Sequence, residues 1–248
     1  MAKRRRRPSK RVAMFAIGGG VALLVAAFLL IYFVVFPTSS PKPFTLATST
    51  AGTAATATAA ATQATSVSEL TGHWKLVNGS QAGYRVREKL AFLPAESDAV
   101  GRTSKISGAA TFSQNDGTVR ISAASFDVAV STLTSDRSQR DEKIHEIGLE
   151  STRYPTATFV LSKPLTVSSS ALAGKVARVS VTGTFNIHGT SRKETLPVEM
   201  SLSGGTFQAV GALTFPWSEF AMSAPSIGGF VNVSETATME FDLHLQRA

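Results

Sequence analysis

"VSVTGTFNIHGTSRKETLPVEMSL", residues 179–202, contains two runs in which apolar and polar side chains take turns. Val179, Val181, Phe185 and Ile187 alternate with Ser180, Thr182, Thr184 and Asn186, and Leu196, Val198, Met200 and Leu202 repeat the pattern. Successive side chains of a strand point to opposite faces, so each run carries one apolar and one polar face. The same period returns in Phe207, Ala209, Leu213 and Phe215, and again in Ala237, Met239, Phe241, Leu243 and Leu245. Asp116-Gly117 inside "TFSQNDGTVRIS" supplies a hairpin turn with φ > 0. Gly204-Gly205 marks a second turn. Further strands are expected near Trp74–Val77, Gly83–Lys89, Ser125–Val130 and Ala157–Leu161. About eight or nine strands joined by short turns predict an antiparallel barrel or sandwich and exclude alternating βαβ units.

One segment breaks the period. In "SDRSQRDEKIHEIG", residues 135–148, Asp136 is the expected N-cap, with Gln139 at capping-box spacing. Ile144 and Ile147 share one side of the predicted helix, and Gly148 stops it. Arg137–Asp141 and Asp141–His145 are four apart and are expected to pair along the helix surface.

The chain ahead of this domain has a different character. Lys3, Arg4, Arg5, Arg6, Arg7, Lys10, Arg11 and Lys42 are eight of the 25 Lys and Arg residues, with no acid among residues 1–42. The rest of the chain is therefore balanced, 17 basic against 17 acidic residues. Phosphate binding needs a basic excess, so no nucleic-acid partner is expected. Residues 1–11 read as a basic cytoplasmic tail. Val12–Phe36, "VAMFAIGGGVALLVAAFLLIYFVVF", carries no charge. At ~1.5 Å per residue it exceeds the ~30 Å bilayer core, and it is longer than a secretory signal's apolar core. It is expected to be a single transmembrane helix, a signal-anchor. The positive-inside rule then leaves the N-terminus in the cytoplasm and the remainder extracytoplasmic. Residues 37–69 are rich in Thr, Ala and Ser and read as a disordered, flexible linker. Function is expected in residues 70–248.

Candidate chemistry is thin. There is no cysteine, which removes disulfides and thiolate sites. His73, His145, His188 and His244 form no ligand-spaced pair, so no metal is expected. Ser135 or Ser138 with Asp141 and His145 has triad composition, but the three types sit on one short helix and no Gly-x-Ser-x-Gly elbow exists. No catalytic group, no enzyme activity and no cofactor are expected. Glu88, next to Arg85 and Arg87, is a carboxylate that requires a partner if it points into an apolar interior. Phe112, Phe126, Phe159, Phe185, Phe215 and Phe241 either line a cavity or fill it; the pattern leaves both open.

Several motifs in order resemble one family. "GHWKLVNGSQAGYRVRE" (72–88) opens on Gly-x-Trp-x-Leu and is followed by "AVGRTSKISGAATF" (99–112). "FDVAVSTLTSDRSQRDEKI" (126–144) carries Arg140-Asp141, and "RYPTATFVLSKP" (153–164) carries Tyr154-Pro155. "VTGTFNIHGTSRKETLPVEM" (181–200) and the closing segment 215–245 complete the series. Together they resemble the YceI-like domain, a lipocalin-like barrel described as polyisoprenoid-binding. Two places depart from that pattern. Glu88 stands where many members carry histidine, and Ser218-Glu219-Phe220-Ala221 replaces a basic-acidic-Phe-Gly run.

The resemblance implies an all-β, antiparallel lipocalin-like barrel with one helix, holding an isoprenoid-type lipid or quinone. The expected lining is Tyr84, Phe112, Phe126, Val128, Phe159, Val181, Phe185, Leu213, Phe215, Met239 and Phe241. The expected whole is a membrane-anchored carrier for an apolar chain. The alternative is a tethered surface-interaction or stress module with a filled core.

Overall fold

The computed structural model describes residues 40–46, 70–91, 96–172, 175–225 and 231–248. All but Ser40 belong to one unit, Pro41–Ala248. Val12–Phe36, the expected transmembrane helix, and the basic tail before it lie outside the described residues. Among the described residues, no helix is long and apolar enough to cross a membrane.

The strands are β1 (Gly72–Leu76), β2 (Gln81–Leu90), β3 (Ser97–Thr103), β4 (Ile106–Asn115), β5 (Thr118–Ala129) and β6 (Thr156–Leu161). They continue as β7 (Leu165–Ser168), β8 (Ala177–Ile187), β9 (Thr190–Ser203), β10 (Thr206–Pro216), β11 (Val231–Val233) and β12 (Thr236–Arg247). All pairings are antiparallel, and β12 returns to pair with both β1 and β2. The sheet thus closes into an eight-stranded barrel. Closure removes the sheet edges that would otherwise invite pairing with other chains.

The excess of strand segments over barrel positions comes from interruptions. β1 and β2 occupy one position, both against β12, separated at Val77–Ser80. Ser80 mends that break: its hydroxyl donates to Val77 O (3.0 Å) and accepts from His244 N–H (2.9 Å). β3 and β4 likewise share a position against β2 and β1. β6 and β7 share one against β5. The predicted Asp116-Gly117 turn has φ of 45° and 74°, the hairpin conformation that alternation on either side requires.

Alternation sorts the walls as expected. Val181, Phe185 and Ile187 of β8 and Leu196, Val198, Met200 and Leu202 of β9 are buried inside. At the Leu245 end of β12, Trp74 stacks on Phe112 (5.1 Å between centroids) and Phe207 meets Phe112 edge-on (4.9 Å). The Trp74 indole N–H donates to Leu70 O (3.0 Å), so this plug leaves the ring's polar group satisfied.

The opening between β5 and β6 is spanned by a helical crossing. It consists of α1 (Ser138–Lys143) and a π-turn over Ile144–Gly148. The N-cap is Arg137, without a side-chain capping bond, rather than Asp136. Asp136 is drawn off instead to ion pairs with Arg140 and Arg137. A second short helix, α2 (Ser169–Leu172), follows β7 and was not anticipated.

Pro41–Leu46, placed by the sequence in the flexible linker, lies against the outer wall. Arg85 Nη2 donates to Pro41 O (2.7 Å), and the Arg102 guanidinium sits 3.8 Å over the Phe44 ring. Leu46 is buried. A low-entropy cost explains the exception: this part of the linker contains Pro41, Pro43 and Phe44, whereas the Thr/Ala repeats come later.

Candidate ligand-binding cavity

The barrel encloses a cavity of about 170 Å³ whose lining is almost wholly apolar. Tyr84, Phe112, Phe126, Val128, Phe159, Val181, Phe185, Phe215, Met239 and Phe241 all lie on it. Leu213 does not reach the lining, although it is buried in the same core. Residues that the strand pattern could not supply close the α1 end: Val130 and Leu133 after β5, and Ile144 and Leu149 around the π-turn. Trp217 and Met222, flanking the turn after β10, join them.

The lumen stays open because its large rings lie against the wall. Tyr84 covers Gly101, Phe126 covers Gly108, Phe159 covers Gly183 and Phe241 covers Gly211. A Cβ at Gly183 would stand 2.0 Å from the Phe159 ring, and one at Gly101 would stand 2.3 Å from the Tyr84 ring. Any side chain there would push the ring toward the barrel axis. Each glycine sits on the strand adjacent to its aromatic residue. This pairing was in the sequence as glycines inside strands, a sign of close approach, but only the register shows which ring each one receives.

Polar groups gather at the α1 end. Glu88 points inward from β2 and is 7% exposed. Its partner is Arg140 of α1, whose Nε and Nη2 donate to the two carboxylate oxygens. The neighbours suggested by sequence, Arg85 and Arg87, cannot serve. They are odd-numbered on the same strand and point outward, where Arg85 meets Asp98 (3.0 Å) and Glu240 (3.3 Å). Arg140 also pairs with Asp136. The carboxylates beside it, Glu88 first among them, raise the guanidinium's pKa above its ordinary value against the opposing effect of burial.

The triad composition does not assemble. Asp141 accepts the Ser135 backbone N–H (2.8 Å) and holds the turn before α1. His145 Nε2 lies 2.9 Å from Leu133 O, a carbonyl, so that nitrogen carries the proton and donates. Nδ1 then accepts from Ser151 Oγ (2.9 Å). Both ring nitrogens are engaged, and neither reaches Asp141, contrary to the expected surface pair. Tyr154 packs its ring on Gly189 and His188, and Pro155 O accepts from Ser131 N–H (3.4 Å). The residues Arg140, Asp141, Tyr154 and Pro155 therefore brace one end of the barrel.

Tyr84 brings a polar group to the inward face of the lining. Its hydroxyl is buried beside the Ser135 hydroxyl. Ser135 Oγ also donates to Arg137 O and accepts from Arg137 N–H and Arg140. Burial pushes the phenol well above its ordinary pKa, offset in part by Arg140, so it is a neutral donor.

Among the described residues no cluster of His, Cys, Asp or Glu could hold a metal ion.

A closed eight-stranded antiparallel barrel around an apolar cavity defines a lipocalin-like barrel. The YceI-like domain family matches residues 56–245, and the chain belongs to that family. Solved structures agree in fold. A polyisoprenoid binding domain from Saccharophagus degradans, implicated in plant cell wall breakdown, superposes with a TM-score of 0.54 at 16% identity, covering 72% of this chain and 99% of that one. A mutant YceI protein of Campylobacter jejuni gives a TM-score of 0.51 at 14% identity, covering 64% and 91%. No curated protein matches the chain.

Proposed function

We propose that this protein is a membrane-anchored, extracytoplasmic binding or carrier protein for an apolar chain of polyisoprenoid or isoprenoid-quinone type. The single observation that carries the reading is the apolar cavity, held open by rings laid flat over glycines. Gly108 answers also to its own backbone, at φ 141°, but a barrel selected only to be a filled module has no such use for glycine at 101, 183 and 211, since each one lowers strand stability. Membership of the YceI-like family and the likeness to a polyisoprenoid binding domain support the same ligand class.

The mechanism is passive binding without catalysis. Burying a chain stabilises the complex by ~0.8 kcal/mol per CH₂ removed from water. A void of about 170 Å³ is close to the size that admits one benzene-like body. A longer chain therefore enters by displacing part of the lining. Met200, Met222 and Met239 are the adaptable side chains there, and Ile144 and Leu149 ride on the short crossing at the α1 end. The anchor in this reading is Val12–Phe36, with the arginine-rich tail on the cytoplasmic side.

Organic extraction and mass spectrometry of the purified full chain test the carrier reading. Recovery of a prenyl lipid, or stoichiometric uptake of an added one, is expected. A lipid-free protein that takes up no isoprenoid overturns it. Carbonate washing of membranes tests the anchor: the chain is expected to remain in the pellet, and its release would refute the span.

A further inference from the structure

We infer that the outer wall of the barrel carries a docking site for the chain's own stalk, and that Pro41–Leu46, seated there as a strap, shortens the tether and holds the barrel close to the bilayer. This rests on the anchor reading of Val12–Phe36 and is independent of what the cavity binds.

Three adjacent strands build the site. Glu240 of β12 stands opposite Gly83 of β2, and Gly83 stands opposite Arg102 of β3. The absent side chain at Gly83 lets Arg102 cross β2 and reach Glu240. A Cβ there would lie 2.8 Å from Arg102 Cγ and 2.2 Å from Gly101 O. Arg102 donates through Nε (3.0 Å) and Nη2 (2.7 Å) to one oxygen of Glu240, and Arg85 Nε donates to the other (3.3 Å). Arg85 Nη1 is taken by Asp98 (3.0 Å). The carboxylates thus fix both guanidiniums in place. Their remaining donor capacity goes to the strap, Arg85 Nη2 to Pro41 O (2.7 Å) and Arg102 Nη2 to Lys42 O. Phe44 lies beneath the Arg102 guanidinium, and Leu46 is buried.

The strap suits that surface chemically. Pro41 and Pro43 have no N–H, so a segment laid over side chains rather than along a strand edge carries fewer donors to satisfy. It also precedes the residues shared with the YceI-like family, which begin at 56. Its place in the chain gives the contact a consequence. Only five peptide steps separate Phe36 from Pro41, a span of at most ~18 Å. With the strap undocked, residues 37–69 form a coil whose r.m.s. reach is roughly 30 Å and whose extended length is several times greater. The 23 residues between Leu46 and Leu70 keep the strap near its seat. A flexible connection of this kind gives an effective concentration of order mM, so even a weak contact holds.

The test uses the full chain, one copy per lipid nanodisc. The chain has no cysteine, so a single introduced thiol reports alone. Leu46→Cys is expected to react with a maleimide about tenfold more slowly than the same cysteine in a free peptide of residues 41–46. Adding Phe44→Ser, which leaves every barrel residue intact, is expected to restore the peptide's rate. Reaction as fast as the peptide's without that change, or protection that survives it, overturns the docking site. Tether length is read separately, by energy transfer from a dye on Ser203→Cys, at the exposed end of β9, to acceptor lipids in the disc. Transfer is expected to be stronger with the native strap than with Phe44→Ser and Leu46→Ser together. Equal transfer overturns the shortened tether. A chain that does not enter the discs removes the anchor reading and the tether claim with it, while the thiol rates, measured in detergent, still decide whether the strap docks.

Discussion

The two ends of the barrel are closed by different physics. At one end Trp74, Phe112 and Phe207 interlock by ring packing, with no charge involved. At the other, a short helix and a π-turn are held by polar contacts, chief among them the Glu88–Arg140 ion pair, which is itself partly buried. Ring packing is lost only with the core. An ion pair in a half-dry site is held by strong attraction against a large desolvation cost, and it disappears entirely when either partner is removed. The apolar end is therefore a plug, and in the proposed carrier reading the polar end is the part that yields to an entering chain. The π-turn strengthens that assignment, since such turns weaken the regular helical ladder.

Substitutions at each end break or sharpen the contrast. Phe112→Ala should be the most damaging, at about 4 kcal/mol, because it empties space between Trp74 and Phe207. Denaturant unfolding should show the loss with an unchanged cooperative slope. Arg140→Ala should cost about 3 kcal/mol by stranding the Glu88 carboxylate, whereas the double variant Glu88→Leu, Arg140→Met should recover most of it. If the single and double variants are equally unstable, the stranded Glu88 carboxylate is not what destabilises the α1 end. Ligand uptake should also be faster in Arg140→Ala than in the native chain, and unaltered in a variant of the plug that still folds.

Gly183→Ala tests the wall between the ends. Its new methyl group would drive the Phe159 ring inward, costing about 2 kcal/mol and reducing the capacity for an apolar probe. Retention of full capacity would show that the flat rings do not keep the lumen open. The smallest expected effect is at Glu219, in the segment that departs from the family pattern. Burial and a shared hydrogen bond with Glu194 raise its pKa, with Arg192 opposing. A carboxyl whose pKa is higher folded than unfolded contributes stability below its unfolded value. That contribution is lost as pH rises through the folded one. Stability should accordingly fall slightly across the acid range, and Glu219→Gln should remove that slope with a change below ~0.5 kcal/mol at neutral pH, since the site is largely solvated.

The walls were legible in the sequence because alternation alone assigns inward faces; Phe126, Val128, Phe159 and Phe185 follow from period two, whereas the ring plug of Trp74, Phe112 and Phe207 depends on register. Leu213 shows the limit, since pointing inward does not by itself give access to the free space. The α1 end was legible in part. Its helix was expected, but its cap was assigned to Asp136, which pairs with Arg140 and Arg137 instead, and the main partner of Arg140 is Glu88, 52 residues away in the chain. Ion pairs over such distances depend on register, which no local spacing encodes. The outer cluster of Arg85, Arg102 and Glu240 was hidden for the same reason. Glu240 occupies a polar position of β12, yet it is only 2% exposed, because two arginines and the Pro41–Leu46 segment cover it.

That docked segment has a kinetic consequence. Pro41–Leu46 and the barrel are joined twice, once by the chain between Leu46 and Leu70 and once by contacts on the outer wall. A protease that cuts the connection does not by itself free the domain. The two pieces part only as fast as Phe44 leaves its seat beneath Arg102 and Leu46 is exposed, so nicking and separation become distinct events with distinct rates.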